Sequence, residues 1–527
     1  MEKQLLLGDE AIAKAAIDAG ISGVYAYPGT PSTEITEFIQ AYSKKEDLPI
    51  ASRWAANEKT AMEAALGMSY VGKRALCCMK HVGLNVAADA FINSAMTGAH
   101  GGLVVIAADD PSMHSSQNEQ DSRFYGEFAF VPIFEPSNQQ EAYDMTRAAF
   151  ELSEKYATPV LLRITTRLAH SRAGVVTAPS QKAASVSLPE DTSRFILLPA
   201  LARKRYKQVL QMQADFEMES ESSAHNCLSE GRDKSKGIIA AGIGYNYLME
   251  NYPDGCPYPV LKISQYPLPK TLFARLAEAC DELLVIEEGA PFIENQLRGL
   301  LDDCHRIKGR LDGTLPRDGE LNPDLVGRAL GLSQLEGNPV PAVVLPRPPA
   351  LCQGCGHRDM YDALTEVARR YPHHRVFGDI GCYTLGALPP FRAIHSCVDM
   401  GASITMAKGA ADGGLWPAIA VIGDSTFTHS GMTGLLDCVN ANANVTIVIS
   451  DNETTGMTGG QESAGTGKIE AIVRGLGVAP EHIRVFEPLK KNRAMMEEII
   501  DQELNYPGVS VIIPRRECIQ TLKRKKK

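Results

Sequence analysis

Residues 418–461 read AIAVIGDSTFTHSGMTGLLDCVNANANVTIVISDNETTGMTGGQ, in the order strand, turn, helix, strand, turn. Ala418 to Gly423 is a short apolar run ending in Gly-Asp, Ser430 to Val439 suits a helix opened by a serine cap, and Val445 to Ser450 is a second β-rich run. A parallel crossover brings both strand ends to one edge of a sheet, where α/β proteins bind ligands. Asp424 and Asn452 stand at those ends. They offer oxygen ligands about one βαβ unit apart, as a hard cation such as Mg²⁺ requires. Gly423 lets the backbone approach a diphosphate, and the N–H groups opening the next helix face the same space. An ordinary crossover whose Asp and Asn only cap turns accounts for the same two residues. On the residues alone, a diphosphate–Mg²⁺ site and a structural βαβ unit both stay open.

The chain has 527 residues, room for two to four domains with separate cores. It is 44% hydrophobic and 22% charged, the balance of a soluble globular protein. A net charge of −10 and a pI near 5.7 argue against general nucleic-acid binding. No run approaches the roughly 18–20 apolar residues of a membrane span, so no membrane partner is expected. The acidic start MEKQLLLGDEAIAKA has too short an apolar segment for a signal peptide, and a cytoplasmic location is expected. The 12 cysteines are mostly solitary, which suits reduced thiols.

From the N-terminus, an alanine-rich helix (Asp9 to Ala19) precedes a buried strand, Gly23 to Tyr27. The strand ends in Pro28-Gly29-Thr30-Pro31-Ser32, a turn that can expose a hydroxyl, with Ser32 or Thr33 capping the following helix. Asn57-Glu58-Lys59 precedes a helix of small residues, where Asn57 suits an N-cap and Glu58 a first-turn acid. Strands follow at Ala75–Met79, Leu103–Ala108 and Pro159–Ile164. Pro199 to Glu221 reads as a long charged helix and Ser222 to Lys236 as a mobile polar loop. Ala241-Gly242-Ile243-Gly244 is too short for a dinucleotide fingerprint and reads as a tight strand–helix turn. Glu287-Glu288-Gly289 reads as polar surface.

Several stretches together resemble one family. Asp451-Asn452-Glu453-Thr454, followed by Met457-Thr458-Gly459-Gly460-Gln461, resembles the metal loop of thiamine diphosphate enzymes, specifically the 2-oxoacid:ferredoxin oxidoreductases. YPGTPSTE, NEK, KHVGLN, CQGCGHR, GDIGCYTLG, MGASI and GDSTFTHSG occur in the order found in the larger, alpha subunits of the indolepyruvate:ferredoxin oxidoreductases. The resemblance implies an α/β protein of three domains, with two thiamine-binding parallel-sheet domains flanking a transketolase C-terminal-like domain. Its boundaries are 1–180 (pyrimidine-binding), 181–235 (connector), 236–338 (transketolase C-terminal-like), 339–351 (Pro-rich linker), 352–516 (diphosphate- and Mg²⁺-binding) and 517–527 (basic tail). It implies Mg²⁺ ligation by Asp424, Asn452 and the carbonyl of Thr454. Cofactor contacts are implied at Glu58, Gly381, Cys382, Gly401, Ser403, Ile404, Gly423, Ser425, His429 and Met457. Ile404 is the candidate wedge between the two thiamine rings, though core packing explains it equally well. Glu58 is the carboxylate that thiamine needs against N1′ of its aminopyrimidine. Thr30, His81 and Arg123 are the candidates for substrate recognition: a hydroxyl, a proton carrier and a cationic fork for the 2-oxoacid carboxylate.

The activity so implied is oxidative decarboxylation of aryl-2-oxoacids of the indolepyruvate and phenylpyruvate type to aryl-acetyl-CoA. Coenzyme A is the co-substrate, ferredoxin the electron acceptor and a smaller beta subunit the partner in a hetero-oligomer. Family members usually add a C-terminal ferredoxin-like domain with two cysteine runs; this sequence stops before such a run. Electron exit is therefore expected through the partner or a cluster elsewhere in the chain. Non-oxidative decarboxylation, and a cofactor-binding scaffold active only with its partner, stay open as rivals. Cys352 and Cys355 form a Cys-x-x-Cys pair, Cys382 follows, and Cys518 lies past the last strand. Unrelated buried thiols, zinc and a 4Fe–4S cluster compete for them. The cluster is favoured because single-electron oxidation needs an acceptor close by. The tail Lys523-Arg524-Lys525-Lys526-Lys527 reads as a disordered, solvated end, with steering of an acidic ferredoxin as the alternative.

Overall fold

Ala418–Gly423, Val445–Ser450 and Val509–Pro514 are buried along their whole length, as parallel strands covered on both faces must be. In the computed structural model, which describes residues 3–300, 306–333, 339–345, 350–397, 399–412 and 414–525, they are the middle of a six-stranded parallel sheet. Its order is Ser396–Cys397, Arg375–Gly378, Ala418–Gly423, Val445–Ser450, Val509–Pro514, Ile483–Phe486. Side chains alternate between faces. Ile419, Val421, Val448 and Ile512 pack with the helices Gly356–Ala368 and Arg493–Leu504, while Ala420, Ile422, Ile447 and Val511 pack with Ala402–Asp412, Met432–Asn440 and Ile469–Gly475.

This sheet belongs to one of two compact units, Pro339–Lys527; the other is Met1–Asn338. The N-terminal unit contains a seven-stranded sheet in the order Gln265–Tyr266, Ile133–Phe134, Val160–Thr165, Leu103–Asp109, Ala75–Lys80, Gly23–Ala26, Ala51–Trp54, parallel except for Gln265–Tyr266. A second sheet, built on Lys236–Ala241, Val260–Ile263 and Glu282–Ile286, shares both apolar cores with it. The stretch 1–180 and the stretch 236–338 are thus continuous through their cores.

Several local expectations are corrected. No serine cap opens a helix at Ser430: helical backbone starts at Asp424, passes through a π-turn at Phe427–Gly431, and continues as Met432–Asn440. Neither Ser32 nor Thr33 caps the helix Thr33–Lys45; Ser32 Oγ donates to the Gly29 carbonyl and Thr33 Oγ1 accepts from its N–H. The polar stretch after Glu221 is pinned rather than loose. The buried Asn226 amide bonds Ser220 and Gln265, and Cys227–Ser229 pairs with Val260–Lys262. The tail is helical over Ile519–Lys525, with Arg524 donating to the Gly459 carbonyl and Lys525 paired to Glu517; Lys526 and Lys527 lie outside the described residues, as do 346–349 of the Pro-rich linker. Among the described residues no helix is long and apolar enough to cross a membrane.

Candidate functional site

In the C-terminal unit, chemistry gathers where Ala418–Gly423 and Val445–Ser450 end. Asp424 is 2% exposed and its Oδ2 has no hydrogen-bond donor. Burial, then the neighbouring Asp451 charge, pushes its carboxyl up to about 7, against the Ser463 hydroxyl and the amides of Ser425 and Asn452. A buried carboxylate with an unpartnered oxygen is what a cation ligand looks like before the cation is considered. Asn452 holds its own turn through Oδ1, which accepts from the Thr454 N–H at 3.2 Å, and Glu453 between them takes a left-handed φ of 62°. Thr454 is buried and donates to the Gln461 carbonyl, which fixes the loop after Asn452. Ser425 Oγ lies 3.0 Å from Thr455 Oγ1, tying the two arms together.

The glycines serve a tyrosine. A Cβ at Gly381 would fall 2.3 Å from Tyr383 Cε1, and one at Gly423 would fall 2.7 Å from the same atom, so the ring lies between them. Gly401, at φ +96°, brings its turn against Ser430 of the π-turn, beside His429. His429 is buried, with Nδ1 2.5 Å from Ser430 Oγ. Ser403 donates through N–H and Oγ to Asp379, which also accepts from the Tyr383 hydroxyl. Asp379 is a residue the sequence reading passed over: burial pushes it to about 6, and it ties its own loop, through Tyr383, to the turn at Gly401–Ser403. Its signal was the Gly378-Asp379 strand end, a twin of Gly423-Asp424. Ile404 is corrected to a core residue; it is fully buried beside Gly431 and Gly434 and has no surface for a ligand. Met457 is exposed.

Cys352, Cys355, Cys382 and Cys518 line one cavity with His357 and Asn452. Burial first, and then the charges of the other three thiols, push Cys382 up to about 12. Gly354, at φ +77°, turns the chain between the first two. The Cys518 N–H donates to the Asn452 carbonyl at 3.1 Å, which fixes the fourth beside the loop that follows Ser450. Among the described residues, no three of these sulfurs all lie within 4.8 Å of one another. His357, also passed over, is buried, pushed down to about 4, and sits 3.5 Å from the Asn452 amide through Nε2.

In the N-terminal unit, Glu58 begins the helix Glu58–Tyr70 at 4% exposure, and Asn57 caps that helix through Thr60. A Cβ at Gly83 would lie 2.6 Å from Glu58 Oε1, so the KHVGLN glycine leaves room for this carboxylate. Lys80 ends its strand at 8% exposure and donates to the Ser115 carbonyl at 2.6 Å. Burial pushes its ammonium down to about 8, against the pull of Asp110 and Glu58. His81 is buried: Nε2 is 3.2 Å from the Asn118 carbonyl, Nδ1 has no partner, and burial lowers its pKa. Thr30 is half-buried in the turn whose Gly29 packs on Lys80.

Arg123 is corrected. It is fully buried and its donors are committed to Asp121, Glu287, Tyr266 and the carbonyls of Glu288 and Ala290. Arg163 joins the same cluster through Asp109 at 2.6 Å and Glu135 at 2.5 Å. Glu287 and Glu288, expected on the surface, are each 1% exposed inside it. A guanidinium so engaged has no donor left for a substrate carboxylate.

Comparison with known proteins adds three findings. Residues 14–227 match the family model for the thiamine diphosphate-binding part of pyruvate flavodoxin/ferredoxin oxidoreductase, and residues 379–513 match the C-terminal TPP-binding domain of thiamine pyrophosphate enzymes. Indolepyruvate oxidoreductase subunit IorA of Archaeoglobus fulgidus is 40% identical, covering 98% of this chain and 86% of its own; that of Methanothermobacter marburgensis is 39% identical, covering 98% and 87%. A solved 2-oxoglutarate:ferredoxin oxidoreductase from Magnetococcus marinus, with 2-oxoglutarate, coenzyme A and succinyl-CoA bound, has the same fold. Its TM-score is 0.51 at 15% identity, over 62% of this chain and 65% of that one.

Proposed function

This chain belongs to the indolepyruvate oxidoreductase IorA family, and from that premise we propose that it oxidatively decarboxylates aryl-2-oxoacids with coenzyme A and ferredoxin, working with a smaller partner subunit. It is a thiamine diphosphate-dependent 2-oxoacid:ferredoxin oxidoreductase of the indolepyruvate type. The observation carrying the residue assignments is the unpartnered, buried Asp424 oxygen beside Asn452 and the four-cysteine cavity.

Bound thiamine diphosphate supplies the carbon nucleophile and the electron sink for loss of CO₂. Asp424, Asn452 and the Thr454 carbonyl hold Mg²⁺ for the diphosphate. Glu58 holds a proton against N1′ of the aminopyrimidine, and its burial keeps water from competing for that proton. With Arg123 committed elsewhere, Lys80 takes the substrate carboxylate and Thr30 donates to the adjacent carbonyl. His81, buried and held neutral, is assigned as the proton carrier. The four cysteines hold a 4Fe–4S cluster. Such a cluster fits a reducing, cytoplasmic setting.

Turnover by the chain with its partner, dependent on indolepyruvate, coenzyme A and ferredoxin, is the expected result. Aldehyde release from the isolated chain would instead mark a non-oxidative decarboxylase, and cofactor binding without turnover in either state a scaffold. Glu58→Gln should bind thiamine diphosphate yet slow exchange of its C2 proton by orders of magnitude; unchanged exchange refutes that role. Anaerobically purified wild type should carry iron that Cys518→Ser loses.

A further inference from the structure

Three ligating side chains in the N-terminal unit take no part in the chemistry above. Asp9 lies in the first turn of the helix Gly8–Asp18, Glu34 in the first turn of Thr33–Lys45, and His170 ends the helix Thr166–His170. One ligand atom from each lies within 4.8 Å of the others, and His170 Nε2 is 3.5 Å from Glu34 Oε2. Gly8 makes the meeting sterically feasible, because a Cβ there would fall 2.3 Å from the Leu168 carbonyl oxygen.

Asp9 is the anomaly. It is 0% exposed and neither carboxylate oxygen has a hydrogen-bond donor. Buried polar groups are almost always bonded, and each exception calls for a cause. The acid of a helix N-terminus ordinarily caps its own amides, but here Glu10 supplies the carboxylate that accepts from the Leu7 N–H. Protonating Asp9 would not solve the problem, since its hydroxyl and carbonyl would still lack partners.

We propose that Asp9, Glu34 and His170 form a binding site for a divalent transition-metal ion that ties the first two helices of the chain to the helix ending at His170. Bonds of about 2.0–2.2 Å put ligand atoms roughly 3–4.4 Å apart, a range compatible with the observed grouping. Two carboxylates with one imidazole favour a metal such as Mn²⁺, Fe²⁺ or Zn²⁺ over Mg²⁺ and Ca²⁺, which prefer oxygen alone. Glu34 and His170 are partly exposed, which gives the ion its way in.

The test uses the full chain with excess Mg²⁺ and thiamine diphosphate, so that the oxygen-ligand site at Asp424 is filled, and adds Mn²⁺ alone as the probe. Pulsed electron paramagnetic resonance should detect bound Mn²⁺ with modulation from an imidazole nitrogen. His170→Gln, at a partly exposed position, should abolish the modulation, and Asp9→Asn should weaken Mn²⁺ binding more than about tenfold. Circular dichroism checks that both variants stay folded. Absence of bound Mn²⁺ in the wild type, or an unchanged signal in His170→Gln, overturns the site and leaves a protonated Asp9 beside a Glu34–His170 ion pair.

Discussion

Gly83→Ala isolates the placement of the Glu58 carboxylate from its presence. The added Cβ would stand 2.6 Å from Glu58 Oε1, 2.7 Å from Cγ and 2.9 Å from Cδ. Ordinary contact lies near 3.5 Å, so the Glu58 side chain must move by about 0.9 Å. Overpacking of this size costs about 1–3 kcal/mol. Gly83 is helical, and alanine recovers about 1 kcal/mol of that through propensity. The net loss of stability is then about 0–2 kcal/mol. Displacing a catalytic group by about 1 Å costs roughly 100-fold in rate, or about 2.7 kcal/mol of barrier. Activity should therefore fall well beyond what the loss of folded protein explains. C2-proton exchange of bound thiamine diphosphate, followed by NMR, and urea unfolding measure the two quantities on one sample. Adding Glu58→Asp, which removes a methylene from the clash, should restore stability non-additively without restoring exchange. A stable Gly83→Ala protein with wild-type exchange would refute both the steric reasoning and the role of Glu58.

Lys80→Met should raise KM for the 2-oxoacid by more than it lowers kcat; equal KM values would remove Lys80 from substrate binding. Arg123→Met leaves Asp121 and Glu287 buried without their partner, so urea unfolding should register a loss of about 3–5 kcal/mol, with KM unchanged in the folded fraction. Burial lowers the pKa of His81 below its unfolded value of about 6.5. Its contribution to stability is therefore full above about pH 6.5 and is lost as pH falls through the folded value. His81→Asn should show a shallower decline of the urea midpoint over that range, and an identical decline would contradict the burial.

The sheets were legible because strands buried on both faces spell themselves out as short apolar runs, as Ala418–Gly423, Val445–Ser450 and Val509–Pro514 do. The helix start at Asp424 was not. Ser425 to Ser430 is a polar run that reads as a turn, yet Thr428 satisfies its hydroxyl on the carbonyls of Ser425 and Asp424, so the polar residues can lie inside a buried helical turn. Burial of this kind depends on neighbours from other strands and leaves no local pattern. The Arg123 cluster failed in the same way. Asp121 stands two residues from Arg123 and was visible as its partner, but Glu287 is 164 residues further on and belongs to the second sheet. Read locally, Glu287-Glu288 after an apolar strand is a solvated turn; only the packing of the two sheets turns those acids inward.

Cys518 shows the opposite case, a long-range contact that topology makes readable. It is 166 residues from Cys352 in sequence, and no spacing rule joins them. Val509–Pro514, however, is an apolar run long enough to be an inner parallel strand, and parallel strands deliver the residues after them to the same edge. The strand pairs with Val445–Ser450, and the pairing continues as a bridge from Asp451 to Arg515. Arg515 then donates to the Asp451 carboxylate at 2.7 Å, and the next turn sets the Cys518 N–H on the Asn452 carbonyl. The fourth thiol thus reaches the cavity because its strand lies beside the one that ends at Asp451 and Asn452. A residue just past a late parallel strand can be assigned to a site from sequence when the neighbouring strand is known. A buried ion pair between separate sheets cannot.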